Sequence, residues 1–103
     1  MSVAQVIMED RRLRVLKTLK EISDGRMGEP VLLRVLKAEG CVTDFDTLRT
    51  DMGWLEHQGC MRVEKLPTET PHEEVWVAVL TATGSRVADG LQRITGVAAS
   101  LAR

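Results

Sequence analysis

Cysteine is scarce in this chain. Cys41 and Cys60 are the only two, and no paired motif links them. A small secreted domain held by disulfides would carry more, so that class is excluded and the thiols are expected to be reduced. Long apolar runs are also missing. The start, MSVAQVIMEDRR, is too polar for a signal peptide, and no stretch is long enough to span a membrane. These absences give an expectation of a cytoplasmic protein. The recurring catalytic signatures are missing too: there is no phosphate-cradling glycine loop, no HExxH and no nucleophile elbow. The expectation is a non-catalytic protein with no cofactor.

Histidine is limited to His57 and His72. His57 and Cys60 lie three residues apart and Cys41 could approach them in space, but structural zinc needs four ligands with paired spacing. No metal is expected, and the cysteines read as small buried hydrophobes. Net charge is −1, so no strong field of one sign covers the molecule. The charges are nevertheless unevenly placed. Arg11, Arg12, Arg14, Lys17, Lys20, Arg26, Arg34 and Lys37 cluster in the first half, whereas Glu39, Asp44, Asp46, Asp51 and Glu56 dominate the next stretch. Glu69, Glu73 and Glu74 follow. A basic face of the kind that holds nucleic acid could come only from the N-terminal half.

What is present is a globular composition, 44% hydrophobic over 103 residues. That suits one domain, which would bury on the order of 60–65% of the surface of its unfolded chain. The periodicity predicts a first helix over Val3–Ile22, with Leu13, Val15, Leu16, Leu19 and Ile22 inward. Arg12 falls inside this apolar arc, to be read as a stem on the core with its head in water or as a pairing group across a dimer. Glu29-Pro30 opens a second helix with the stripe Val31, Leu32, Val35 and Leu36, and Gly40 closes it. A third helix is expected from Thr43, with Thr43 and Asp46 as a capping box and Phe45, Leu48, Met52 and Leu55 inward. Gly59 ends it.

The period then changes to 2. Residues 60–66 and 74–80 read as two strands of a hairpin, with Val75, Val77 and Val79 on the core face and Trp76 on the other. Thr81 and Thr83 offer caps for a short last helix ending at Gly90. The alternative is a helix running on to Leu101, since positions 87, 91, 94, 98 and 101 keep a heptad-like seam. The expected core is Leu16, Leu19, Val35, Leu36, Leu48, Met52, Leu55, Val63 and Val77.

Three helices, a two-stranded hairpin and a closing helix make a mainly α, winged helix-turn-helix order. The chain is one domain over 1–103, with the helix-turn-helix at about 29–58, the wing at about 60–80 and the C-terminal helix or tail at 82–103. The outer face of the third helix offers Thr47, Arg49, Thr50, Gly53, His57 and Gln58, residue types that include base readers. Asp46, Asp51 and Glu56 on the same helix would repel phosphates. Arg34 and Lys37 are candidate supporting contacts to DNA. Trp54, Trp76, Leu91 and Ile94 are candidate contacts to a protein partner, with aromatics favoured there.

The runs Leu48-Arg49-Thr50-Asp51-Met52-Gly53-Trp54-Leu55-Glu56-His57-Gln58-Gly59 and Val75-Trp76-Val77-Ala78-Val79-Leu80-Thr81-Ala82-Thr83-Gly84 carry a resemblance. With Val87-Ala88-Asp89-Gly90 and Gly96-Val97, they resemble a family of small winged-helix proteins encoded by Mu-like phages and prophages, often labelled ArsR-like regulators. The resemblance spans most of the chain from the first helix onward. It implies a winged-helix fold and a phage context without a fixed activity. Such proteins are encoded close to the small terminase subunit, so it implies DNA packaging as an alternative to regulation. The chain departs from the family at Cys60, where an aliphatic residue is usual, and in its longer wing tip.

The functional expectation is a DNA-binding or regulator-like module. The alternative is an adaptor in phage assembly or packaging that does not bind DNA itself. A homodimer is expected, because Val3, Val6, Ile7 and Met8 together with Leu91, Ile94, Val97 and Leu101 exceed what one copy readily covers. The competing arrangement folds the C-terminal segment back onto the first helix of its own chain.

Overall fold

A computed structural model describes residues 2–70 and 73–101. Its order is α1 (Val3–Lys20), β1 (Arg26–Gly28), α2 (Glu29–Ala38), α3 (Phe45–His57), β2 (Met61–Pro67), β3 (Glu74–Leu80) and α4 (Ala82–Ala88). The result is a mixed α/β domain of four helices and one antiparallel sheet, with strand order β1-β3-β2.

The helices follow from local chemistry. Ser2 caps α1 through its hydroxyl, which accepts the Gln5 N–H. Leu13, Val15, Leu16 and Leu19 of α1 are buried. The helix stops at Lys20, two residues before the expected end, and Gly25 with φ 64° turns the chain into β1. In α2, Leu32 and Leu36 are fully buried, but Val31 is 52% exposed and does not share their stripe. The cap of α3 is Asp44, not Thr43: its carboxylate accepts the Thr47 N–H at 2.7 Å. That shift puts Phe45 in the first turn, where it is 45% exposed instead of inward. Leu48, Met52 and Leu55 are fully buried.

Two features of the sheet differ from expectation. First, there are three strands, because β1 pairs with β3 through Arg26↔Val79, Met27↔Ala78 and Gly28↔Val77. Three residues are too few to show a period in sequence. Second, the phase of β3 is inverted. Register pairs Met61↔Leu80 and Val63↔Ala78, and Ala78 is fully buried in the core that Trp76 and Leu80 flank. Val75 and Val77 lie outside that core, on the opposite face. There Arg26 and Glu64 form a bidentate pair, 2.9 Å from Nη1 to Oε1. By register this pair joins the two outer strands across β3. A β-branched stripe is thus screened by side chains above it rather than by a helix.

The edge of β2 is also managed. Glu56 reaches from α3 and accepts the Val63 N–H at 2.7 Å, and Pro67 closes the strand without a donor.

The junction into α4 explains the Leu80-Thr81-x-Thr83-Gly84 run. Thr81, not Thr83, is the cap. Its hydroxyl accepts the Gly84 N–H at 3.1 Å and donates to the Gly59 carbonyl at 2.6 Å. Gly84 lies so close to β2 that an added Cβ would sit 1.9 Å from the Cys60 carbonyl oxygen. α4 ends at Ala88, and Gly90 adopts φ 77°, so the longer helix to Leu101 does not form. The chain instead folds back on α1. The Ala98 N–H donates to the Glu9 carbonyl, and Val97 is 6% exposed. The apolar C-terminal set is therefore partly consumed within the chain, although Leu91 stays 77% exposed.

Candidate functional site

The candidate residues divide between an inner cluster and an open groove. The inner cluster is built on α1 and α3. Asp51, expected only to repel phosphates from α3, is 1% exposed and pairs with both Arg11 and Arg12 of α1. Arg12 does not hold its head in water. Its guanidinium lies 3.9 Å from the centroid of Trp54, and its Nη1 donates to the Gly96 carbonyl at 3.2 Å. Gly96, with φ 102°, presses against the same ring, and a Cβ there would lie 2.6 Å from Trp54 Cζ2. Trp54 is thus half-buried, with Arg12 over its ring and Gly96 against its edge. Arg12 pairs within the chain, not across a dimer.

The groove lies between the first turns of α2 and α3 and the end of the hairpin. It encloses about 580 Å³. Arg49, the leading base-reading candidate, is held on its wall. Its Nε donates to Glu29 Oε2 at 2.8 Å, and its Nη2 donates to the other Glu29 oxygen and to the Glu74 carbonyl. The guanidinium stacks 4.7 Å from the centroid of Trp76. Lys65 approaches Trp76 at 4.7 Å as well. Trp76 is half-buried between these cations, and its indole N–H has no acceptor among the described residues. The guanidinium of Arg49 on α3 and the ammonium of Lys65 lie over its ring.

The electrostatics of the Arg49–Glu29 pair follow from burial and partners. Burial alone would raise the Glu29 carboxyl. The Arg49 hydrogen bond, the Trp76 N–H (3.1 Å) and the Arg49 charge outweigh it and leave Glu29 below the ordinary glutamate value. Arg49 is raised in turn, chiefly by the Glu29 hydrogen bond against some burial, with the Glu29, Glu74 and Asp46 charges adding to it. The guanidinium sits in a negative local field.

The other candidates are scattered. Thr50 and His57 are exposed on α3, with the Thr50 hydroxyl bonded to the Asp46 carbonyl, and Thr47 is half-buried. Arg34 and Lys37 are exposed on α2 and carry no ion pair among the described residues. The other cations of the N-terminal half are largely engaged: Arg11 and Arg12 with Asp51, Arg14 with Asp10 and Glu39, Lys20 with Asp89, and Arg26 with Glu64. The Glu56 carboxylate accepts the Val63 N–H. Ile94 is half-buried against the core.

Glu29 and Asp51 carry the two clusters, yet sequence gives Glu29 only as a helix opener and Asp51 only as a surface acid. The signal that could have found Asp51 is Arg12, a cation stranded in an apolar arc that needs a buried counter-charge.

Cys60 is fully buried and Cys41 half-buried. Burial raises both thiols, and the Arg11 and Arg14 charges offset this only in part at Cys41. Among the described residues no group of three or more His, Cys, Asp or Glu is placed to hold a metal, and no helix is long and apolar enough to cross a membrane. His72 lies outside the described residues.

Comparison with known proteins places the chain in its lineage. It is 32% identical over 95 residues to gp26 of Escherichia phage Mu, with 92% of each chain covered. The chain belongs to the Mu gp26 family of phage proteins. That relative is itself described as uncharacterized, so the family supplies a phage context and no activity. No family model matches the sequence, and no solved structure matches it.

Proposed function

We propose that this member of the gp26 family is a non-catalytic winged-helix module that acts as a protein-binding adaptor in phage assembly or DNA packaging. The order α-β-α-α-β-β-α supports the winged-helix reading, with α2 and α3 as the helix-turn-helix, β2 and β3 as the wing and β1 as the third strand. The observation that carries the adaptor reading is the closure of Arg49 by Glu29. The one arginine of α3 is already spent on a carboxylate, and Asp44 and Asp46 flank it at the helix start. A helix that reads bases offers free donors to the groove; this one offers neutral or acidic groups. The phage context agrees with both the adaptor and the regulator.

The second reading is DNA binding, and Arg34 and Lys37 favour it because both are exposed and unpaired among the described residues. A mobility-shift assay at low salt separates the two. The adaptor reading expects no shift on random or phage duplexes. A shift that weakens steeply with salt and disappears in Arg34→Ala/Lys37→Ala overturns it. Self-association belongs to the same proposal and rests on Val3, Val6 and Ile7, exposed by 77, 46 and 54%. Light scattering at tens of micromolar should give a dimer, and Val6→Ser/Ile7→Ser should give a monomer.

A further inference from the structure

We infer that the groove between α2, α3 and the hairpin is the docking site for a cationic protein segment that carries a large apolar side chain. This rests on the adaptor reading and specifies where the partner sits and what chemistry it brings.

The groove wall mixes apolar and acidic side chains: Pro30, Phe45 and Val75 with Asp46, Glu73 and Glu74. Phe45 is the chain's single phenylalanine. The helical period would bury it beside Leu48 and Met52, but the Asp44 cap leaves it 45% exposed at the groove. The two tryptophans lie against arginines, so Phe45 is the aromatic left open for a visitor. Large apolar anchors seated in such recesses dominate many interfaces.

Charge chooses the occupant. Glu29, Asp46, Glu73 and Glu74 line the groove against Arg49 alone. Arg49 is neutralised by Glu29, while Asp46, Glu73 and Glu74 have no ion pair among the described residues. The start of α3 is already capped by the Asp44 carboxylate, and the first turn of α2 carries the negative charge of Glu29, so neither favours an anion. A nucleic-acid backbone is repelled. A lysine- or arginine-bearing segment is attracted, and its aliphatic stems can lie along the apolar side chains while their charged ends meet the carboxylates. A groove of 580 Å³ has the size that takes one or two anchoring side chains rather than a folded face.

The probe is a short synthetic peptide of alternating lysine and leucine, with a glutamate–leucine peptide as control. Titration into isotopically labelled full-length protein should shift amide resonances of Phe45, Asp46 and Glu74 first. The lysine–leucine peptide should bind Phe45→Ser and Asp46→Lys/Glu74→Lys roughly tenfold or more weakly than wild type, while Phe45→Leu keeps most of the affinity. Phe45 is half exposed, so these variants should fold, and circular dichroism checks that they do. Equal binding to Phe45→Ser, equal binding of the glutamate–leucine peptide, or shifts centred on Val3–Ile7 overturns the groove. So does concentration-dependent self-association lost in Phe45→Ser, since the occupant is then a second copy. If the peptide fails and duplex DNA also fails to bind, the groove falls alone. A DNA shift that depends on Arg34 and Lys37 takes the adaptor reading down with it.

Discussion

Two places in this domain are assembled from the same three parts: a tryptophan, an arginine over its ring and a carboxylate that holds the arginine. At Trp54 the arginine is Arg12 and the carboxylate Asp51, with side chains 7 and 2% exposed, and Gly96 lies against the edge of the ring. At Trp76 the arginine is Arg49 and the carboxylate Glu29, with side chains 34 and 4% exposed, and the outer side opens to the groove. The difference is the presence of a lid. Where the returning chain covers the ring, the set ties α1, α3 and the C-terminal segment together. Where nothing covers it, the same chemistry fixes a surface cation in place and leaves an acidic recess.

If the closed set is structural, Asp51→Ala should be the most damaging change. It leaves Arg11 and Arg12 without their counter-charge, and removing one partner of a buried pair costs about 3–5 kcal/mol. Chemical denaturation measures this; a loss below ~1 kcal/mol would mean the two clusters are not different in kind. Gly96→Ala should come next, at about 1–3 kcal/mol, since it combines a positive φ with a Cβ driven into Trp54. The loss of Trp54 fluorescence burial should accompany it.

Glu29→Gln should cost less, about 1 kcal/mol, because Arg49 is one-third exposed and water screens the pair. The change should also alter the acid limb. The folded-state pKa of Glu29 is depressed, so its stabilisation is complete above the unfolded glutamate value of about 4.3 and is lost as pH falls through the lower folded value. Melting temperatures from neutral to acidic pH should therefore fall less steeply in Glu29→Gln than in wild type. The smallest effect belongs to Arg34→Ala, which should change stability by less than about 0.5 kcal/mol. Any larger loss would show that this arginine has a structural partner.

The local periods made the helices and their stops legible. Leu16, Leu19, Leu36, Leu48, Met52 and Leu55 are where the 3.6-residue pattern puts them, and Gly40, Gly59 and Gly90 turn with positive φ where helices end. The long-range chemistry was not legible. Arg12 and Asp51 are 39 residues apart, and no local pattern announces their pairing. The alternating valines of β3 look like a core face, yet Ala78 faces the main core, and Val79 is buried on the opposite face, where the Arg26–Glu64 pair also lies. The heptad-like seam after Val87 was broken by one backbone angle at Gly90. Of the candidate site residues, Arg49 and Trp76 meet at one place, while half-buried Trp54 packs separately against Arg12.

A sheet of three strands has two outer rims, and any rim with free donors can recruit another chain. Glu56 answers the Val63 N–H on β2 with a carboxylate from a neighbouring helix, and Pro67 leaves no donor beyond it. An incoming strand would have to displace a charged acceptor and then run into a ring. The β2 rim is thus guarded at Val63 and at Pro67 against an added strand.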